Sequence, residues 1–349
     1  MPRATTPRLG SRAERLYALS DALAAQCSGV WRALVYAICS NGSLVLFASL
    51  ALRRRATRLA QLVLLGSVLT NLLAVLGCAL LAAGLRCRSV ALPRRELGMH
   101  STLHLLGAGA VAAMTALVAA GADACTAQAA RPRTCGTELA VSRGVALVLL
   151  SSYALWLRFA HVTHARLLAD DAAGAAAACA RAVLAAEPSS PAERSKPSFW
   201  ANVVLVAVCG ALCAGVCAEA IALLHASAAL RAGVPRTFMA AVALPLALNA
   251  GELAATLPLA ARNAFGPAVC VPLTAATQIL LCVLPFAVLG AAVRGVPLGL
   301  DVRVFEASTL LLGVLASGAA LAHGRADWLK GLVLLTMYAV VAAAYWAHS

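Results

Sequence analysis

The chain reads as an all-α polytopic membrane protein: an inverted-repeat helix bundle with about nine spans. Three observations predict the bundle. Of 349 residues, 62% are hydrophobic and only 12% charged, and the mean hydropathy is +0.86. A soluble domain is nearer half apolar and a quarter charged. The apolar residues also run in blocks of about 18 or more, the length a helix needs to cross hydrocarbon. Finally, one block with the basic turn and helix behind it aligns with a second such unit further along the chain.

Hydropathy and the charged gaps place spans at roughly 29–52, 59–84, 97–121, 140–160, 200–223, 236–260, 265–292, 304–323 and 328–347. Residues 1–28 are too polar to cross. They read as a cytosolic tail with the remnant of a leading helix. Residues 29–160 form a first unit of four spans, and 200–349 a second of five. Between them lies the longest polar interval, 161–199, read as a cytosolic loop. It holds an Ala-rich stretch, DAAGAAAACARAVLAAE, and then a breaker run, PSSPAERSKPS. Lys and Arg are more numerous on the face shared by the tail and this loop, which puts the N-terminus in the cytosol.

The net charge of +14 would suggest nucleic acid in a soluble domain. Here the arginines cluster between apolar blocks, as in RRRATR (53–58) and RCRSVALPRRE (86–96). There is no zinc-finger spacing and no basic–aromatic interleaving. The partner implied is the lipid bilayer, not nucleic acid, and oligomeric state is not legible. The 12 cysteines form no CxxC pair. Cys209, Cys213 and Cys217 share one helix face, where Cys packs as a small hydrophobe.

The repeat carries the functional signal. SNGSLVLFASLALRRRATRLAQLVLLGSVLTNLLAVLG (40–77) aligns without gaps with LNAGELAATLPLAARNAFGPAVCVPLTAATQILLCVLP (248–285), an offset of 208 that sets Asn41 on Asn249. Each copy has a polar break in its first helix, a basic turn, and a second helix with small and amide residues at mid-depth. Five crossings separate the copies, so they face opposite ways. Inverted repeats with broken helices mark secondary transporters, with the substrate held at the repeat interface. Irregular backbone at membrane depth survives only when buried in protein or lining a cavity. Both breaks are therefore expected to be real helix interruptions that face each other.

Glu252 is the only acid at the centre of such a break. An ionisable residue in a membrane core is costly and is taken as functional by default. Carboxylate with amide and backbone oxygens is hard-cation chemistry. A desolvated carboxylate also holds a proton more readily. One group that takes either a cation or a proton is the simplest basis for antiport. Glu219, in CAEA on the fifth span, is a second intramembrane acid; ion coupling and helix packing both fit it. His100 and His104, at i and i+4 on the third span, have zinc-compatible spacing but no third ligand in reach, and read as a polar cavity face.

Taken together, LGSVLTNLLAVLGCALLAAGLR (65–86), SRGVALVLLSSYALWL (142–157), CAE (217–219), LNAGELA (248–254), TAATQILLCVLP (274–285) and ADWLKGLVLLTMYAVVAAAYW (326–346) resemble the vacuolar calcium/proton exchangers of the calcium:cation antiporter superfamily. The resemblance runs in order from about residue 18 to the C-terminus. It implies an all-α inverted-repeat bundle of the sodium/calcium-exchanger type, built of two five-helix repeats, each with a Gly-Asn-Ala-Thr/Ala-Glu motif on a broken helix. The paired glutamates would take Ca²⁺ or protons in alternating access. The second motif reads here Leu248-Asn249-Ala250-Gly251-Glu252. The first reads Ser40-Asn41-Gly42-Ser43-Leu44, so its glutamate position is vacated by Leu44. The neighbouring motif keeps Gly66, Ser67 and Asn71, and its partner keeps Gln278, with Thr274 and Ala275 in place of the Gly-Ser pair. The usual acidic pair near the start reads Ser20-Asp21. The family's first one or two spans and its acidic central loop have no counterpart here.

The implied activity is secondary transport rather than enzyme catalysis: cation/proton antiport, with calcium moved from the cytosol into a vacuole or other acidic endomembrane compartment. No cofactor is expected beyond the transported cation and H⁺. Expected metal-binding residues are Glu252, Asn249 and Asn41. Ser67, Asn71, Gln278 and Glu219 join them in ion binding and proton coupling. The alternative is a transport-deficient relative with a regulatory or binding role, because Leu44 cannot ligate.

Overall fold

The computed structural model describes residues 41–87, 90–127, 134–183, 233–261 and 263–348, with side chains placed outside 121–136 and 176–183. Helix α1 is Gly42–Arg53. Helix α2 spans Thr57–Arg86 and contains a π turn at Thr70–Val75. Helix α3 is Arg94–Ala127. Helix α4, Thr134–Arg158, ends in a π turn at Phe159–Thr163. Helix α5 is Ala165–Val183. Helix α6, Arg236–Leu248, is separated from α7, Ala250–Ala261, by a 49° bend at Asn249. Helices α8, Phe265–Val293, α9, Val304–Leu321, and α10, Trp328–Ala347, complete the chain. Strands β1 (Val90–Ala91) and β2 (Arg325–Ala326) form one short antiparallel pair.

Six of these helices are long and apolar enough to cross a membrane, and α6 with α7 is a seventh if counted as one bent span. They fall on seven of the nine intervals expected. Of the first interval, only α1 is described. The fifth, 200–223, and with it the cysteine triplet, lies outside the described residues.

One expectation needs correction. The interval 161–199 is not all loop, because its Ala-rich half is helix α5. Alanine has the highest helix propensity of any residue, and the breakers come only after it. Helix α5 packs on β1 and on α3 and α8. Asp171 anchors it, accepting the Arg95 backbone N–H at 2.9 Å in the first turn of α3, where helix N–H groups lack partners.

The repeat is visible in the backbone itself. Asn41 sits at φ −100°, ψ 19° and Asn249 at φ −95°, ψ 13°, both in the bridge region that ends helices. Each starts a 12-residue helix. The turns that follow match too: Arg55 and Asn263 have positive φ of 55° and 60°. Ala56 and Ala264 each donate back to a carbonyl five residues earlier, at 2.9 Å. The second helices carry π turns at the same register, Thr70–Val75 and Ile279–Val283. The two copies are also inverted. Arg58, at the start of α2, pairs with Glu306 at the start of α9, whereas Arg86, at the far end of α2, donates to the Ala261 carbonyl at 2.7 Å. The α1–α2 turn and the α7–α8 turn therefore lie at opposite ends of the bundle.

Helices α2 and α8 form the core, with 78% and 67% of their most apolar stretches buried; for α4 and α10 the figures are 28% and 22%. The outer helices present large apolar side chains such as Leu147, Leu155, Val333 and Val340. With no water to expel in lipid, packing depends on close approach of small residues. Gly66 is the key case: a Cβ there would collide with the Ala241 carbonyl and Pro245. Pro245 has no N–H to give to the carbonyl four residues back, which is that of Ala241. The glycine lets α6 press this carbonyl against α2, one residue from Ser67.

Candidate functional site: a cross-linked pair of helix breaks

Each of the two asparagines that precede the matched 12-residue helices is tied to the second helix of the other repeat. Asn41 Nδ2 donates to Gln278 Oε1 on α8. In the other direction, Asn71 Nδ2 on α2 donates to Asn249 Oδ1 at 2.9 Å and to the Ser67 carbonyl at 3.1 Å. Asn249 Nδ2 donates to the Pro245 carbonyl at 2.7 Å. A backbone carbonyl only accepts, so the amide atoms facing Ser67 and Pro245 must be nitrogens. The donors of Asn71 and Asn249 are thus committed to protein; Asn249 Oδ1 accepts from Asn71, and Asn71 Oδ1 is left without a partner.

What remains is acceptor-rich. The Asn71 Oδ1, Ser67 Oγ and Thr256 Oγ1 atoms are buried without a hydrogen-bond partner, and all three residues are fully buried. Buried polar atoms are almost always satisfied, and three orphans in one region are a large departure. Thr256 lies one turn beyond Glu252 on the same face of α7. Helix α7 packs against the π turn that carries Asn71. Glu252 is 4% exposed. It stands in the first turn of α7, where the helix dipole favours a negative charge, and its carboxylate is bonded to its own backbone N–H.

The sequence-predicted residues are therefore gathered in large part. Asn41, Ser67, Asn71, Asn249, Glu252 and Gln278 are all buried, and hydrogen bonds join Asn41 to Gln278 and Asn71 to Asn249. Leu44, the repeat partner of Glu252, is 1% exposed and packs in the apolar core. Glu219 and Asp21 lie outside the described residues.

Four features escape a reading by motif. Thr256 is one; its i+4 spacing from Glu252 was the available signal. Tyr153 on α4 is another, hydrogen-bonded to Gln278. The third is a polar bridge from α3 to α8. His100 Nδ1 meets Thr277 Oγ1 at 2.7 Å; His104 Nε2 meets Thr277 Oγ1 at 2.9 Å and the Leu273 carbonyl at 3.0 Å. The two histidines face α8 through hydroxyl and carbonyl groups, and no group of three His, Cys, Asp or Glu side chains fit for a metal occurs among the described residues. The fourth is the Arg58–Glu306 pair, flanked by Gln61, which donates to the Asp301 and Gly299 carbonyls at 2.8 and 3.1 Å. These contacts fasten the start of α2 to the segment before α9. No sequence signal links residues so far apart.

Known proteins resemble this arrangement. A family model described as sodium/calcium exchanger protein matches residues 202–347. Vacuolar cation/proton exchanger 1a of Oryza sativa subsp. japonica is 28% identical over 339 residues, which covers 95% of this chain and 71% of that protein. The Ca²⁺/H⁺ antiporter of Synechocystis sp. is 28% identical over 321 residues, covering 90% and 82%. Among solved structures, native YfkE superposes with a TM-score of 0.72 at 18% identity, over 97% of this chain and 89% of that one. The H⁺/Ca²⁺ exchanger CAX gives 0.59 at 13%, over 98% and 85%. These likenesses identify the fold.

Proposed function

We propose that this chain, a divergent member of the cation/proton exchanger family, is a secondary transporter that exchanges a cation for protons across an endomembrane. One observation carries the reading. A buried carboxylate, Glu252, stands at a helix break, on a helix that carries the unpartnered Thr256 Oγ1 and packs against the π turn that holds the unpartnered Asn71 Oδ1. A cation bound there would meet Glu252 with Asn249 and Asn71, and Ser67 and Thr256 in reach of the same region. Asn41 and Gln278 hold the opposite break in place. Glu219 is the further acid assigned to proton coupling. A proton and a cation cannot share the Glu252 carboxylate, and that competition couples their movements.

The relatives' names supply calcium as the reference cation and the vacuole as the reference compartment; the Lys/Arg bias of the sequence assigns the N-terminus to the cytosol. A transport-deficient relative is the second reading, favoured by Leu44 at the site of a carboxylate. Purified protein in vesicles with an acidic lumen and a trapped pH dye separates the two. The antiporter predicts alkalinisation of the lumen when a cation is added outside. No response to any cation, with protein shown to be folded and inserted, would leave the second reading.

A further inference from the structure

Resting on that reading, we infer that the substrate of this site is a singly charged alkali cation rather than a divalent one. The repeat makes the argument. Positions 44 and 252 occupy the same place in two backbones that match at the break, the following turn and the π turn beyond it. One holds a carboxylate and the other a leucine, each buried to within 4%. The other polar side chains on α7, at its leading bend and on the stretch of α2 that it packs against are neutral: a hydroxyl at Thr256, amides at Asn249 and Asn71, and a hydroxyl at Ser67, one turn before Asn71.

Among the described residues, the only other buried acid is Glu306, and it is consumed by Arg58. A cation with one charge makes a neutral complex with Glu252. A divalent ion leaves one net positive charge in a membrane interior, where uncompensated charge is expensive. Divalent calcium normally draws on several carboxylates. The neutral amide and hydroxyl oxygens are hard donors suited to Na⁺ or K⁺, and need no second anion.

The experiment uses the full chain in vesicles with an acidic lumen and a trapped pH dye. NaCl, KCl and CaCl₂ are added at matched ionic strength, with choline chloride as the inert salt. The expected result is saturable alkalinisation with Na⁺ or K⁺ at half-saturating concentrations at least about tenfold below that for Ca²⁺, lost in Glu252→Gln. Leu44→Glu should add a Ca²⁺ response. If that variant does not insert, the wild-type comparison decides alone. A Glu252-dependent response to Ca²⁺ at equal or lower concentration than Na⁺ and K⁺ overturns the inference and leaves the antiporter standing. So does a Ca²⁺ response that disappears in Glu219→Gln while the Na⁺ and K⁺ responses persist, since it would identify a second carboxylate for the divalent ion. Silence with all three salts overturns inference and antiporter together.

Discussion

The break at Asn41 and the break at Asn249 share a backbone and differ in chemistry. Both asparagines adopt the same dihedral pair within a few degrees. Both precede a 12-residue helix and a turn with one residue of positive φ. Three residues on, one chain face carries Leu44 and the other Glu252, equally buried. The same helix start is therefore built by the backbone and its amide ties with a leucine or with a carboxylate three residues on. Architecture and ion chemistry are separable here, and each can be attacked alone.

Restoring the lost charge is the strongest test of that separation. Leu44→Glu should raise Ca²⁺ affinity by at least tenfold over Leu44→Gln, read as Ca²⁺-dependent thermal stabilisation in detergent. A second unit charge about 4 Å from the ion is worth roughly 4 kcal/mol at an effective dielectric near 20, and about 1.4 kcal/mol is tenfold. The same variant should be less stable than wild type at high pH without cation, because two ionised carboxylates then repel. Equal Ca²⁺ response in the two variants would mean that position 44 does not face the site.

The other buried acid among the described residues offers a contrast within the second repeat. Glu306 is paired, so it should matter for stability and not for transport. Arg58→Met should cost about 1–3 kcal/mol, below the range for fully buried pairs because Arg58 is 37% exposed. Adding Glu306→Leu should recover much of that loss. Denaturant or thermal unfolding in detergent checks both. A double variant less stable than the single would contradict the assignment.

Packing at the second break should respond next. Gly66→Ala sets a methyl group against the Ala241 carbonyl and Pro245. Overpacking of this kind costs about 1–3 kcal/mol. The loss should be accompanied by weaker cation binding, since Ser67 is adjacent. The smallest effect is expected at Thr256. Thr256→Val removes an oxygen with no protein partner, so stability should change by less than about 1 kcal/mol or rise. Cation affinity should still fall by several-fold. A large stability loss with unchanged affinity would make Thr256 a packing residue.

The order of these effects follows what sequence could reveal. The bend at Asn249 and the matching helix start at Asn41 were legible because Asn and Gly stand out in apolar helices, and because a gapless offset repeats them; the stretch before Asn41 lies outside the described residues. Glu252 and Leu44 followed from the same alignment. Two of the π turns left a trace as well: those at 239–243 and 279–283 both end just before a Leu-Pro pair, at 244–245 and 284–285. The one at 70–75 has no proline and no such signal. The crosswise ties of Asn41 to Gln278 and Asn71 to Asn249 were not legible, because only the folded bundle brings those helices together. The same holds for His100 and His104 with Thr277, and for Arg58 with Glu306. Helix α5 was missed for another reason: polarity suggested a loop, while alanine content decided the local conformation.

The central claim is that Glu252 is the carboxylate for which the cation and the proton compete. Its most direct test is proton-coupled cation flux in vesicles bearing wild type or Glu252→Gln, with equal insertion verified and a protonophore as the zero-gradient control. The account predicts cation-driven loss of the pH gradient in wild type, and the background rate in Glu252→Gln with its melting temperature little changed. Undiminished flux in Glu252→Gln would contradict it.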